Sequence, residues 1–184
     1  MKVKALLLTC IMFTVIVISV YGQELPPDKF ADLVLKTLTY DRGLEQKVSG
    51  KIHIGILYNS EFKEKAEQIK KAFDAKSSNT VRGFAFDTIM FEWKNIQALQ
   101  EELTKSKYLS LIILPGLETM LNEINAETEK NSILTISETK SYATKVCLTM
   151  IIESGKVMIY RHEECLVKIN IKLSAEFLKI TKLI

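Results

Sequence analysis

The most reactive side chains of this chain form one run near its end, His162-Glu163-Glu164-Cys165. Imidazole and carboxylate groups are ligands for Zn²⁺, so His162, Glu163 and Glu164 are the candidate metal ligands. Their spacing matches no standard metal-ligand signature, so a solvated loop between two strands is the favoured interpretation and a metal site is the alternative. We predict no metal site.

The other candidate catalytic residues are less consistent with a catalytic role. His53 lies in an apolar run that predicts a strand, where a hydrogen-bonded core histidine is favoured over a catalytic one. Glu101 and Glu102 are neighbours on the surface of a predicted helix, and nothing places two carboxylates across a shared cleft, as general acid–base catalysis requires. The sequence contains no G-x-G-x-x-G, P-loop or G-x-S-x-G motif. We predict no catalytic residues and no cofactor, and an exported hydrolase lacks a nucleophile–base pair.

Residues 1–22 have the pattern of a secretory signal peptide. A basic start and an apolar run of about 16 residues are followed by small residues just before Gln23. The apolar run is shorter than the ~20 residues of a spanning helix, which disfavours the alternative of an uncleaved membrane anchor. We predict cleavage before Gln23 and a periplasmic domain of residues 23–184.

Removal of this leader changes the charge and the cysteine count. Two lysines and no acids are lost, so the formal net charge falls from +3 to +1, which leaves no basic field for nucleic acid. Cys10 is lost as well. Cys147 and Cys165 remain in an oxidising compartment, which predicts a disulfide between them, with two buried free thiols as the alternative.

The apolar periodicity predicts a single α/β domain. After a first helix near residues 30–38, strand-like runs alternate with amphipathic helices; the runs are at 51–58, 83–93, 108–114 and 132–138. This alternation indicates a mostly parallel sheet flanked by helices. Two apolar runs around Glu153-Ser154-Gly155-Lys156 predict an antiparallel hairpin at the C-terminal edge. The stretch "LVKINI" predicts a last strand, and a closing helix follows with Leu173, Phe177, Leu178 and Ile180 available to the core.

Two sets of residues are candidates for binding. Ligands of doubly wound sheets bind outside the carboxyl ends of the strands, and those ends predict a candidate ligand crevice of Asn59, Ser60, Gly116 and Ser137. Plain capping and turn roles are the favoured alternative. One predicted strand also carries four aromatic residues, a candidate partner surface of Phe84, Phe86, Phe91 and Trp93. Burial in the core by alternation is the alternative.

Several stretches, in order, resemble the YfiR family of periplasmic proteins. After the leader and an amphipathic helix they are "IHIGILYNSEFKEKAEQI", "YLSLIILPG", "SILTISETKSYA" and "VKINIKLSAEFLKITKLI". The resemblance covers nearly all of residues 27–184. This chain departs from the family in having Val146-Cys147 in place of Gly-Gly, an additional stretch "MIYRHEECL", and no Trp-Pro after the first helix.

The resemblance implies a non-enzymatic periplasmic regulator. Such proteins bind the periplasmic part of an inner-membrane diguanylate cyclase and hold it inactive, and release raises cyclic-di-GMP and promotes biofilm formation. A sensor kinase is the other class of membrane partner, and a homodimer is left open. The resemblance also implies that Asn170 ends the final strand and bonds the backbone of the next turn.

A function of a different class is also open. The chain could be a small-ligand-binding module, related to half of a periplasmic binding protein, that serves a transporter or a sensor kinase. The same predicted fold serves either function. The resemblance favours the regulator, and the ligand-binding module is the alternative.

Overall fold

A computed structural model describes residues 24–184. The predicted signal peptide, residues 1–22, and its cleavage site before Gln23 lie outside the described residues. The helices are α1 (Pro27–Thr39), α2 (Leu44–Lys47), α3 (Lys63–Asp74), α4 (Ile96–Lys105), α5 (Leu121–Lys130), α6 (Glu163–Lys168) and α7 (Ala175–Ile180). The strands are β1 (Ile52–Tyr58), β2 (Phe86–Glu92), β3 (Tyr108–Ile113), β4 (Leu134–Ser137), β5 (Leu148–Glu153), β6 (Lys156–Arg161) and β7 (Lys182–Leu183).

The strands form one seven-stranded sheet in the order β2-β1-β3-β4-β5-β6-β7. Neighbours from β2 to β5 run parallel, β5 and β6 run antiparallel, and β7 runs parallel to β6. The predicted α/β class, with its mostly parallel sheet and one antiparallel hairpin, is confirmed. Within residues 24–184, no helix combines the length and apolar character that crossing a membrane requires.

Helices cover both faces of the sheet, and each face has its own core. One core lies against α1 and α3 around Phe30, Ile54 and Phe73. The other lies against α4 and α5 around Leu103, Leu111 and Ile124. Because β3 is apolar on both faces, it is buried along its whole length, as central strands of covered parallel sheets are.

The hairpin forms where it was predicted. β5 and β6 pair from Leu148–Arg161 to Glu153–Lys156, which leaves a two-residue turn. Both turn residues have positive φ, 52° at Ser154 and 74° at Gly155. This is the turn geometry that matches the twist of paired strands.

The prediction of a last strand at "LVKINI" is wrong, as is the prediction of a loop at His162–Cys165. Helix α6 spans Glu163–Lys168 and follows His162 at its N-cap. The buried residues Cys165, Leu166 and Ile169 recur at helical spacing. Burial in the tertiary structure therefore outweighs the preference of the β-branched residues for a strand.

Asn170 ends this helix rather than a strand. Its φ is +52°. Its N–H donates to the carbonyl of Val167 at 3.1 Å, and the N–H of Ile171 donates to the carbonyl of Leu166 at 3.1 Å. These two bonds form a Schellman motif, in which asparagine is tolerated in the left-handed conformation. Asn170 therefore has a backbone role, and its place in the final segment differs from the one that the resemblance implied.

The closing helix is also less buried than predicted. Phe177 lies in the core and Leu173 packs partly against it, whereas Leu178 and Ile180 are 37% and 58% exposed. After α7 the chain adds the short strand β7 outside β6, so the hairpin is next to the sheet edge rather than at it.

A disulfide joins Cys147 and Cys165, as predicted from the cysteine count. It connects the residue before β5 to helix α6, and the N–H of His162 donates to the carbonyl of Cys147 beside it. Disulfides persist in oxidising compartments, so this bond fits an exported protein.

Candidate functional site

The order of the strands reverses between β1 and β3, which makes this position the topological switch point of the sheet, named here the crossing point. The chain leaves β1 through α3 to reach β2 on one side, and returns through α4 to reach β3 on the other side. The loops that follow β1 and β3 therefore diverge to opposite faces at the carboxyl ends of these strands, which is where doubly wound sheets bind their ligands. Asn59 follows β1, and Pro115-Gly116 follow β3.

The side chain of Asn59 bridges this crossing point. Its Nδ2 donates to the carbonyl oxygen of Gly116 at 2.9 Å. Its Oδ1 is buried and has no hydrogen-bond partner among residues 24–184. A buried carbonyl oxygen without a donor is costly, so a donor bound next to Asn59 would stabilise this atom.

Only part of the predicted crevice set is brought together. Asn59 and Gly116 are in contact, and Ser60 is exposed at the start of a short 3₁₀ turn, Ser60–Phe62. Ser137 is fully buried; its hydroxyl donates to the carbonyl of Ile113 at 2.8 Å and accepts from the N–H of Thr139. The Ser137 hydroxyl is therefore engaged between β3 and the residues after β4, and it is not brought together with Asn59 and Gly116.

A buried ion pair, which was not predicted from the sequence, also lies at the carboxyl ends of the strands. Glu138 follows β4, and its side chain is 2% exposed. Lys65, in the first turn of α3, places its Nζ 2.9 Å from a carboxylate oxygen of Glu138 and 2.9 Å from one of Glu24. The contacts are close enough for ion pairing but lack the alignment of hydrogen bonds.

The two partners of this ion pair respond differently to burial. Burial is the largest influence on Glu138 and raises its pKa, and the nearby Lys65 opposes the rise only in part. Burial also disfavours the charge of Lys65, but the carboxylates of Glu24 and Glu138 outweigh it and raise the pKa of Lys65. The ammonium group is therefore held charged beside the crevice.

The loop after β3 is fixed from beneath by Tyr142, which is fully buried. The Tyr142 hydroxyl accepts from the N–H of Leu117 at 2.8 Å, and the Glu118 carboxylate accepts from the N–H of Gly116 at 3.3 Å. Burial raises the pKa of Tyr142, so the hydroxyl stays protonated. These contacts hold Gly116 in place against Asn59.

Gly116→Ala is expected to destabilise the protein by at least about 2 kcal/mol. The φ of Gly116 is +81°, and a Cβ there would overlap the amide nitrogen of Asn59 and lie 2.9 Å from the ring of Phe62. A positive φ alone costs a non-glycine residue about 1–2 kcal/mol. The control is Gly155→Ala, because Gly155 also has positive φ but nothing within 4 Å. In urea unfolding, equal losses in the two variants would contradict the close contact at Gly116.

The four aromatic residues of the predicted partner surface do not form one surface. Phe86 is buried and packs edge-on against Phe73 at 6.4 Å between ring centroids, and Phe84 packs partly against the same core. Phe91 and Trp93 pack against the core of the opposite face and remain partly exposed. Strand alternation divides the set, as the alternative interpretation had it.

Phe91 and Trp93 instead border a groove of about 350 Å³ between the edge strand β2 and helix α4. The backbone N–H of Trp93 donates to the carbonyl of Tyr58 at 2.7 Å, so this residue lies next to the end of β1. Trp93 is the single tryptophan of the chain. Its fluorescence therefore reports on this part of the carboxyl edge.

Two of the side chains considered for catalysis, His53 and Glu102, each pair with another side chain. His53 pairs with Asp87, Nδ1 to Oδ1, at 2.6 Å. Glu102 accepts from the Tyr108 hydroxyl at 2.8 Å. No cluster of three or more potential metal ligands occurs in the part of the chain that the structure describes.

Comparisons with known proteins define the fold class. No family model matches the chain, and no curated protein matches it. A conserved domain protein from Vibrio cholerae is similar in structure, with a TM-score of 0.62 and 9% identity over 88% of this chain and 60% of that one.

Two further solved structures have a similar fold. One is a substrate-binding protein with adhesive properties from Clostridium difficile, in its ligand-free, open form, with a TM-score of 0.55 and 10% identity over 77% of this chain and 57% of that one. The other is an ABC domain in complex with L-Trp from Streptococcus pneumoniae, with a TM-score of 0.53 and 10% identity over 80% of this chain and 60% of that one. The chain thus spans about 60% of the length of these structures.

Proposed function

We propose that this protein is an exported, non-catalytic binding protein that holds a small polar ligand at the crossing point of β1 and β3. The observation that carries the proposal is Asn59, whose buried Oδ1 lacks a donor while its Nδ2 bonds Gly116. Export to the periplasm, with a signal peptide cleaved before Gln23, is part of the proposal, and the disulfide supports it.

The surroundings of Asn59 support a ligand with both hydrogen-bond donors and a negative group. The free Asn59 Oδ1 accepts a donor. Lys65 carries a charge that is shared between the buried Glu138 and the 70% exposed Glu24. A ligand carboxylate is able to replace Glu24 on Lys65, because Glu24 is the solvent-exposed partner of the two. The fold shared with substrate-binding proteins supports the same interpretation.

The test is a thermal-shift screen of the disulfide-intact protein against amino acids, short peptides, organic acids and sugars. A ligand at about 100 times its Kd stabilises the folded state by about 2.7 kcal/mol, which raises the melting temperature by several degrees. We expect at least one amphoteric compound, with an amino and a carboxylate group, to do so and to change the fluorescence of Trp93.

Asn59→Ala is the site variant for this screen and Asn122→Ala is its matched control, because Asn122 is an exposed asparagine on α5. Asn59→Ala should lose the ligand-dependent shift, and Asn122→Ala should keep it. A hit that stabilises both variants equally would place the ligand elsewhere, and a screen without hits would remove the support for a small-ligand function.

A second candidate function is the regulator implied by the YfiR-like stretches. The groove between β2 and α4 favours it, since β2 is an edge strand and Phe91 and Trp93 are partly exposed there. A protein partner in the inner membrane, such as a diguanylate cyclase or a sensor kinase, would bind this groove. Capture of the cyclase from membranes by the wild type and by Ile180→Ala, but not by Trp93→Ala, would support it. Unchanged cyclic-di-GMP after gene deletion would oppose it.

A further inference from the structure

A second cleft lies at the amino ends of the strands, at the opposite end of the sheet from Asn59, and it is lined by basic residues. It lies at the amino ends of β1, β3 and β4 and has a volume of about 410 Å³. This volume is within the range of small-molecule sites. Four lysines line it, Lys47, Lys51, Lys107 and Lys130, together with His53, and none of the described residues that line it is acidic.

The carboxylates that balance these lysines lie outside the lining. Lys47 pairs with Asp41 at 2.9 Å, Lys51 with Asp87 at 3.3 Å and Lys130 with Glu127 at 2.6 Å. Lys107 has no ion-pair partner among residues 24–184. Three of the four lysines are therefore paired with carboxylates that do not line the cleft, and the charge of Lys107 is not balanced by an ion pair within residues 24–184.

Helix ends account for only part of this charge. Lys47 and Lys130 lie in the last turns of α2 and α5, where a cation is favoured by the helix dipole. Lys51 and Lys107 lie outside helices, directly before β1 and β3. A cleft lined by one sign of charge concentrates ions of the opposite sign. An anionic ligand therefore gives a reason for Lys51 and Lys107, which the helix dipole does not explain.

The lining of the cleft also includes apolar and uncharged polar residues. Val48, Ile52, Leu109 and Ile169 contribute apolar surface. Asn131, Ser132 and Asn170 contribute hydrogen-bonding groups. A ligand that fits this combination carries more than one negative oxygen and a small carbon skeleton.

We propose that this cleft is a binding site for a small, soluble, multivalent oxyanion, of the polycarboxylate or organic phosphate class, separate from the crevice at Asn59. The ammonium groups of Lys51 and Lys107 ion-pair with the anion, and Lys47 and Lys130 contribute to the field around it. The apolar side chains of the lining contact the carbon skeleton.

The test is isothermal titration calorimetry with citrate and with inorganic phosphate as probes, at fixed low ionic strength because salt screens exposed charges. The site variant is Lys51→Gln/Lys107→Gln. The control is Lys71→Gln/Lys156→Gln, which removes the same charge from exposed lysines on α3 and β6. Vesicles of phosphatidylcholine with and without phosphatidylglycerol form the third arm.

We expect saturable binding of citrate to the wild type, weakened at least about tenfold in the site variant and less than about twofold in the control. No saturable binding of either soluble anion, or equal weakening in the two variants, would overturn the proposal. Saturable binding that neither variant weakens would overturn it as well. Binding to phosphatidylglycerol vesicles without binding of citrate or phosphate would assign the cleft to lipid headgroups and overturn it too.

Discussion

Lys65→Met lowers the free energy of unfolding by about 3 kcal/mol at neutral pH, because removal of one partner leaves a buried charge without compensation. The charge left behind is Glu138, whose side chain is 2% exposed. Adding Glu138→Leu to this variant restores most of the loss, since no buried charge then remains. Urea unfolding of the wild type and both variants measures the two effects.

The loss caused by Lys65→Met depends on pH in a defined direction. Burial raises the pKa of Glu138 above its ordinary value of 4.5, so the folded state binds this proton more tightly than the unfolded state. As the pH falls towards 4.5, Glu138 becomes protonated in the fold and the loss shrinks; as the pH rises through the raised pKa, the loss grows. The control is Lys63→Met, an exposed lysine in the same helical turn. The buried pair would be contradicted if Lys65→Met lost no more unfolding free energy than Lys63→Met. It would also be contradicted if the loss were the same near pH 4.5 as at neutral pH.

The Cys147→Ala/Cys165→Ala variant unfolds with a free energy about 3 kcal/mol below that of the wild type. The disulfide closes a loop with a sequence separation of 18 residues, and the loop-entropy model gives about 3 kcal/mol for a loop of this size. Because Cys165 lies in α6, the loss is expected to be largest in the contact between α6 and the sheet. Urea unfolding together with hydrogen exchange of residues 163–171 measures both.

The single variants provide the control for the disulfide. Cys147→Ala and Cys165→Ala each break the same bond, so each should lose nearly as much as the double variant. Additive losses would mean that the side chains contribute through packing and that the bond itself contributes little. A double variant within about 1 kcal/mol of the wild type would contradict the entropic stabilisation.

The fold was predictable from the sequence as far as burial is periodic. The apolar runs of β1 and β3 and the amphipathic helices between the strands indicate a covered parallel sheet, and Gly155 marks the hairpin turn. The segment from Glu163 to Asn170 was not predictable in the same way. Its β-branched residues favour a strand, whereas the burial of Cys165, Leu166 and Ile169 at helical spacing favours a helix, which ends at the left-handed Asn170.

The candidate site was also predictable only in part. Asn59 and Gly116 were predicted, because the rule that ligands bind at the carboxyl ends of strands needs only the strand boundaries. Lys65 and Glu138 were missed, since a lysine in a lysine-rich helix has the pattern of a solvated surface and its partner is 73 positions away in the chain. The one signal for the pair was Glu138 itself, a charged residue directly after the buried strand β4.

The central claim, that the crossing point of β1 and β3 binds a ligand, is tested most directly by hydrogen exchange of the disulfide-intact protein with and without the compound found by thermal shift. The account predicts slower exchange in residues 58–62, 114–118 and 138–140, where Asn59, Gly116 and Glu138 lie. Protection confined to residues 90–105, beside the groove of β2 and α4, or to the amino edge of the sheet, would contradict it.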